Sequence, residues 1–101
     1  GKQNIEVSRY GGDTLFVIGV YDIGEKRVTK VKKLFDQFLF WTQNSVFEGE
    51  LSKAQLAEFK MRLEKIIDKH YDSVIFYIAG NKKWVTRDVV GVDRGNIGNI
   101  L

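Results

Sequence analysis

The chain of 101 residues contains no cysteine and a single histidine, His70. Without a thiol there is neither a disulfide nor a thiolate site, and a lone histidine cannot fill the common zinc spacings. No apolar run is long enough to cross a bilayer and no low-complexity tract breaks the composition. A soluble, cytoplasmic protein with no membrane partner is therefore expected. The phosphate loop G-x-x-x-x-G-K-[ST], the dinucleotide turn G-x-G-x-x-G and the nucleophile elbow G-x-S-x-G are missing, which counts against nucleotide hydrolysis, dinucleotide binding and hydrolase chemistry. The aromatic K/R-G-F/Y-G/A-F pattern is missing too, so an RNA-recognition or small-ligand regulatory module ranks last. Excess charge is small, at +3 from 16 Lys and Arg against 13 Asp and Glu. Its distribution therefore matters more than its total.

What is present is organised around TLFVIGVYDI, 14 to 23. Leu15, Phe16, Val17, Ile18 and Val20 put apolar groups on both faces, the pattern of a strand buried in mid-sheet. Asp22 lies at its exit, where a carboxylate can meet solvent, a ligand or a partner. The bland alternative is that Asp22-Ile23-Gly24-Glu25 is a D-x-x-E capping box with Asp22 as the cap.

EKRVTKVKKLFDQFL, 25 to 39, repeats Val28, Val31, Leu34, Phe35, Phe38 and Leu39 at helical spacing. Its other side carries Lys26, Arg27, Lys30, Lys32 and Lys33 against Glu25 and Asp36, the densest positive patch in the chain. Such a run is usually a solvated face, and alternatively a phosphate-backbone contact surface. WTQNSVFEGEL, 41 to 51, is extended, with a bend near Asn44 or Ser45 that would split it into two short strands. Ser52 and Gln55 then form a capping box, and Leu51 and Leu56 a hydrophobic staple, for a second helix over about 53 to 69. Glu58 and Arg62 pair on its outer face, so it reads as a charge-balanced packing element. His70 follows its inward register as a helix-end cap or partly buried filler.

SVIFYIA, 73 to 79, is a second buried strand, with a turn at Gly80-Asn81. KKWVTRDVVGV, 82 to 92, alternates imperfectly and reads as an edge or partner-facing strand. The tail after it has apolar anchors at Ile97, Ile100 and Leu101, suited to docking on another chain's sheet edge. Trp41, Phe47 and Trp84 are candidates for stacking on bases, although aromatics in a small sheet domain are more often core.

The fold class is α+β, a ferredoxin-like βαββαβ sandwich in one domain. Residues 1–13 read as an extension or a residue of cloning, 14–80 as the core and 81–101 as a C-terminal strand and partner-docking tail. A core this small gains from self-association, so a dimer or larger is expected. A single carboxylate is too little for a metal site unless a two-fold axis pairs Asp22 of two chains around one hard cation.

FVIGVYDI at 16 to 23, the basic helix after it, QNSVFEGEL at 43 to 51, the Ser52-capped helix and DSVIFYI at 72 to 78 together resemble the CRISPR-associated Cas-two family. That resemblance implies a homodimer with its C-terminal strand added across the dimer, acting with the Cas-one integrase in spacer acquisition. It also implies Asp22 as the ligand for magnesium or manganese in cleavage of RNA or DNA, with Tyr21 and Phe47 at motif positions linked to that activity. Trp41 stands where some members carry arginine, and the arginine-rich run is mostly lysine here, keeping charge but losing the bidentate fork. Two functions are weighed on these terms. The leading one is a dimeric scaffold laying duplex DNA along Lys26, Arg27, Lys30, Lys32 and Lys33. The rival is a Mg- or Mn-dependent endonuclease in which paired Asp22 carboxylates hold the cation.

Overall fold

A computed structural model describes residues 14–80 and 85–94. The apolar stretch around Val17 becomes β1 (Thr14–Asp22), followed by α1 (Glu25–Phe38), β2 (Phe40–Gln43), β3 (Val46–Ser52), α2 (Lys53–Ile66), β4 (Ser73–Ala79) and β5 (Thr86–Gly91). The strands form one antiparallel sheet in the order β2-β3-β1-β4-β5, so β1 is central and hydrogen-bonds to β3 and β4. The chain is α+β.

Alternation along β1 sends Val17, Gly19 and Tyr21 to one face and Phe16, Ile18, Val20 and Asp22 to the other. The first face meets both helices: Val31, Leu34 and Phe35 of α1 and Leu56, Phe59 and Leu63 of α2 join Val17, Phe47, Val74, Phe76 and Val90 in one core. Phe35 is at its centre, with ring centroids 4.8 Å from Phe59, 5.1 Å from Phe47 and 5.0 Å from Tyr21. Gly19 allows this approach, because a methyl there would sit 2.8 Å from the Phe35 ring.

Among the described residues no helix packs on the second face. Phe16 is 42% exposed, and Ile18, Val20, Ile75, Tyr77 and Val89 beside it are only half-buried. A strand apolar on both sides is thus covered on one, since both helices pack on the same layer.

Local signals at the helix starts and turns were decisive where they were strong. Ser52 accepts from the Gln55 amide at 3.0 Å while Gln55 Oε1 accepts from the Ser52 amide at 2.8 Å, the expected capping box. Leu51 and Leu56 are both buried beside it. The chain bends between β2 and β3 at Asn44, which has φ 46°, a left-handed conformation that asparagine tolerates. The end of α2 differs from expectation. The helix stops at Ile66 rather than about 69, with Ile67 extended. His70 is consequently neither inward-facing nor a helix cap: it is exposed in a turn, its amide donating to Asp68 Oδ1 at 2.9 Å.

β5 is an edge strand as expected, paired with β4 of its own chain from Ser73↔Gly91 to Ile78↔Thr86. Residues 1–13, Asn81, Trp84 and the tail at Ile97, Ile100 and Leu101 lie outside the described residues. Among the described residues no helix is long and apolar enough to cross a membrane.

Candidate functional site

Asp22 ends β1, opposite Ser73 in the register with β4, and its side chain is exposed on the open face of the sheet. It does not cap α1. The N-cap is Gly24, with no side-chain hydrogen bond, so the D-x-x-E pattern is not used as a box. Its place is taken by a residue from far along the chain. Asp72, wholly buried, accepts from the Gly24 amide at 2.8 Å and from the Asp68 amide at 2.8 Å. It also takes Arg27 Nε at 2.5 Å and Nη2 at 3.0 Å. The Arg27 guanidinium first, and the two amides after it, hold the Asp72 carboxyl down at about 2 from 3.8, against the burial that would raise it. Asp72 was missed because it flanks an apolar run and matches no motif. Its one sequence signal is a carboxylate at the mouth of a buried strand.

Tyr21 and Phe47 do not join Asp22. Tyr21 precedes it on the strand and therefore points to the opposite face, into the core, where its ring centroid is 6.0 Å from that of Phe47. Burial pushes the Tyr21 hydroxyl pKa up, with nearby Lys32 opposing this and Asp36 adding to it. Of the aromatics considered for stacking, Phe47 is fully buried and Trp41 is 57% exposed. The Trp41 indole N–H donates to the Asn44 carbonyl at 2.8 Å.

The five-residue basic patch divides into three parts. Arg27 is committed to Asp72. Lys32 pairs with Asp36 at 3.1 Å. Lys26, Lys30 and Lys33 remain exposed along one ridge of α1 at the i, i+4, i+7 spacing of a helix face, with no ion pair among the described residues. Among the described residues, no three histidine, cysteine, aspartate or glutamate side chains converge to hold a metal. Asp22 offers one carboxylate per chain.

A family model described as CRISPR associated protein Cas2 matches residues 15–87. The chain belongs to the Cas2 family. It is 45% identical over 86 residues to the CRISPR-associated endoribonuclease Cas2 3 of Thermodesulfovibrio yellowstonii, covering 85% of this chain and 98% of that one. Identity to the CRISPR-associated endoribonuclease Cas2 of Thermotoga maritima is 42% over 87 residues, covering 86% of this chain and 100% of the relative. A solved structure described as a crystal structure of cas2 superposes with a TM-score of 0.65 at 52% identity, covering 80% of this chain and 91% of that one. The matched span of this Cas2-family chain includes all of β1 but Thr14, both helices and β4, and so contains Asp22, Asp72 and the lysine ridge.

Proposed function

We propose that this chain is a CRISPR spacer-acquisition protein: a homodimer that binds duplex DNA and acts as a scaffold for the Cas-one integrase. The observation that carries the reading is the division of the surface. Among the described residues Lys26, Lys30 and Lys33 have no ion pair on the outer side of α1, while the other face of the sheet leaves Phe16 exposed and Ile18, Val20, Ile75 and Val89 half-buried. One surface suits a polyanion. The other suits a second sheet, packed face to face at about 10 Å. The βαββαβ order is that of a ferredoxin-like sandwich, in which two copies joined by their open faces would bring the Asp22 residues to a common axis.

The test is duplex binding by fluorescence anisotropy across a salt series. Reversing Lys26, Lys30 and Lys33 together to Glu should weaken affinity for every duplex sequence and flatten its salt dependence. Unchanged affinity would overturn the assignment. Ile18→Asp, on the open face, should convert the dimer to a single chain in sedimentation.

A second reading is supported by the exposed Asp22 and by the endoribonuclease names of the relatives. A hard cation such as Mg²⁺ takes one or two carboxylates and keeps several waters, so one Asp22 from each of two copies fits it. Bound there, the metal would supply Lewis-acid stabilisation of the phosphate and a more acidic water. Asp22 would hold it, and the open apolar face would place the two carboxylates together. Asp22→Asn should then abolish Mg²⁺-dependent cleavage while leaving the dimer and duplex binding intact, and retained cleavage would remove Asp22 from the chemistry.

A further inference from the structure

The sequence presents α2 as a charge-balanced packing element, yet its outer side shares a groove with α1. The groove, about 390 Å³, is lined by Lys30, Lys33 and Leu34 from α1 and by Arg62, Lys65 and Ile66 from α2, with no carboxylate in its lining. Arg62 is held in place by Glu58 at 2.7 Å and by Gln37 at 3.4 Å. Lys30, Lys33 and Lys65 are exposed and have no ion pair among the described residues.

From this geometry we infer that α2 is a DNA-binding element: Lys65, beside the Glu58-paired Arg62, supplies the charge of the second wall of a seat for the phosphodiester backbone of duplex DNA, facing Lys30 and Lys33 across the groove. The inference rests on the nucleic-acid reading above and extends it to a helix with no assigned role. Three features favour this occupant. Lys26, Lys30 and Lys33 climb α1 in steps of about 6 and 4.5 Å, from the 1.5 Å helical rise. Packed helices put the α2 wall about 8–10 Å away. Rows of cations on both sides of one groove put positive charge along a line, the complement of a linear polyanion.

The floor between the two walls is apolar, made by Leu34 and the half-buried Ile66, and adds no charge of either sign to the seat. No aromatic ring lines the groove, so a single strand finds nothing on which to stack its bases. Recognition is left to the backbone, which is common to all duplex sequences.

The experiment uses the full chain and fluorescein-labelled duplexes of two unrelated sequences, with affinity measured against salt. Lys65→Gln should weaken both duplexes equally and lower the slope of log affinity against log salt by about one, the signature of one lost phosphate contact. Lys65→Arg should retain binding. Lys53→Gln, which removes the same charge from an exposed position of α2 outside the groove, should leave the slope unchanged. Wild-type behaviour of Lys65→Gln, alongside lost binding in the Lys26/Lys30/Lys33 variant, would overturn the second wall and leave the proposed function standing. Equal losses for Lys65→Gln and Lys53→Gln would reduce the effect to net charge and also overturn it. Absence of duplex binding by the wild type at low salt would defeat both readings. Displacement by polyglutamate as effective as by DNA would replace the duplex with an acidic protein partner.

Discussion

Arg27 Nε lies 2.5 Å from Oδ2 of Asp72, a carboxylate with no solvent exposure, joining the first turn of α1 to the start of β4. The same carboxylate accepts from Gly24, and the Asp72 carbonyl accepts from the Val92 amide at 2.8 Å. One side chain and its peptide thus connect the β1 exit, the α1 start, the turn after α2 and the end of β5. A guanidinium that the charge pattern offers to DNA is used inside the fold.

Asp72→Ala should therefore cost about 1.5–3 kcal/mol, the range for a hydrogen bond to a charged group, because the Arg27 it leaves behind is 28% exposed. Urea unfolding followed by circular dichroism checks this. A loss below about 1 kcal/mol would mean that water substitutes for the carboxylate.

The same pair sets an acid limit. The folded Asp72 pKa, about 2, lies below its unfolded 3.8, so its stabilisation is fully present above the unfolded value and is lost as pH falls through the folded one. Stability should decline between pH 4 and 2, and Asp72→Asn should flatten that part of the profile. Chemical unfolding at stepped pH is the measurement.

Gly91 has φ 90° and faces the Asp72 carbonyl so closely that a Cβ would collide with backbone. Gly91→Ala should destabilise by more than about 1–2 kcal/mol, since left-handed strain and the clash act together. A melting temperature equal to wild type would refute this.

Ser52→Ala removes one half of the α2 capping box. The expected loss is about 1 kcal/mol, with duplex affinity unchanged because the cap is remote from the lysine ridge. Thermal melts and anisotropy on the same samples separate the two effects.

Tyr21→Phe should leave any metal-dependent cleavage intact, because the Tyr21 ring belongs to the core face and Asp22 to the open one. Tyr21→Ala, by contrast, should unfold more easily through loss of the ring contacts with Phe35 and Phe47. Cleavage lost in the phenylalanine variant would give the hydroxyl a chemical role after all.

Much of the fold was legible because its signals are local. The periodicity of α1, the bend at Asn44 and the Ser52–Gln55 box each lie within a few residues, where covalent geometry limits the alternatives. The site was less legible. A D-x-x-E pattern permits Asp22 to cap α1, but the competitor Asp72 approaches only once β4 has aligned beside β1. The five cations look alike in sequence, and only the folded chain separates Arg27, paired with Asp72, and Lys32, paired with Asp36, from the three left on the ridge.

The amino-acid pattern alone determined the order of strands and helices and the apolar character of both faces of β1, because alternation and helical spacing are properties of neighbouring residues. The tertiary structure decided which face the helices cover, that Asp22 is exposed rather than capping, and that Arg27 is committed to Asp72. Those outcomes depend on contacts such as Arg27–Asp72, 45 positions apart. Sequence spacing cannot specify such a pair, because its ends meet only after the sheet between them has closed.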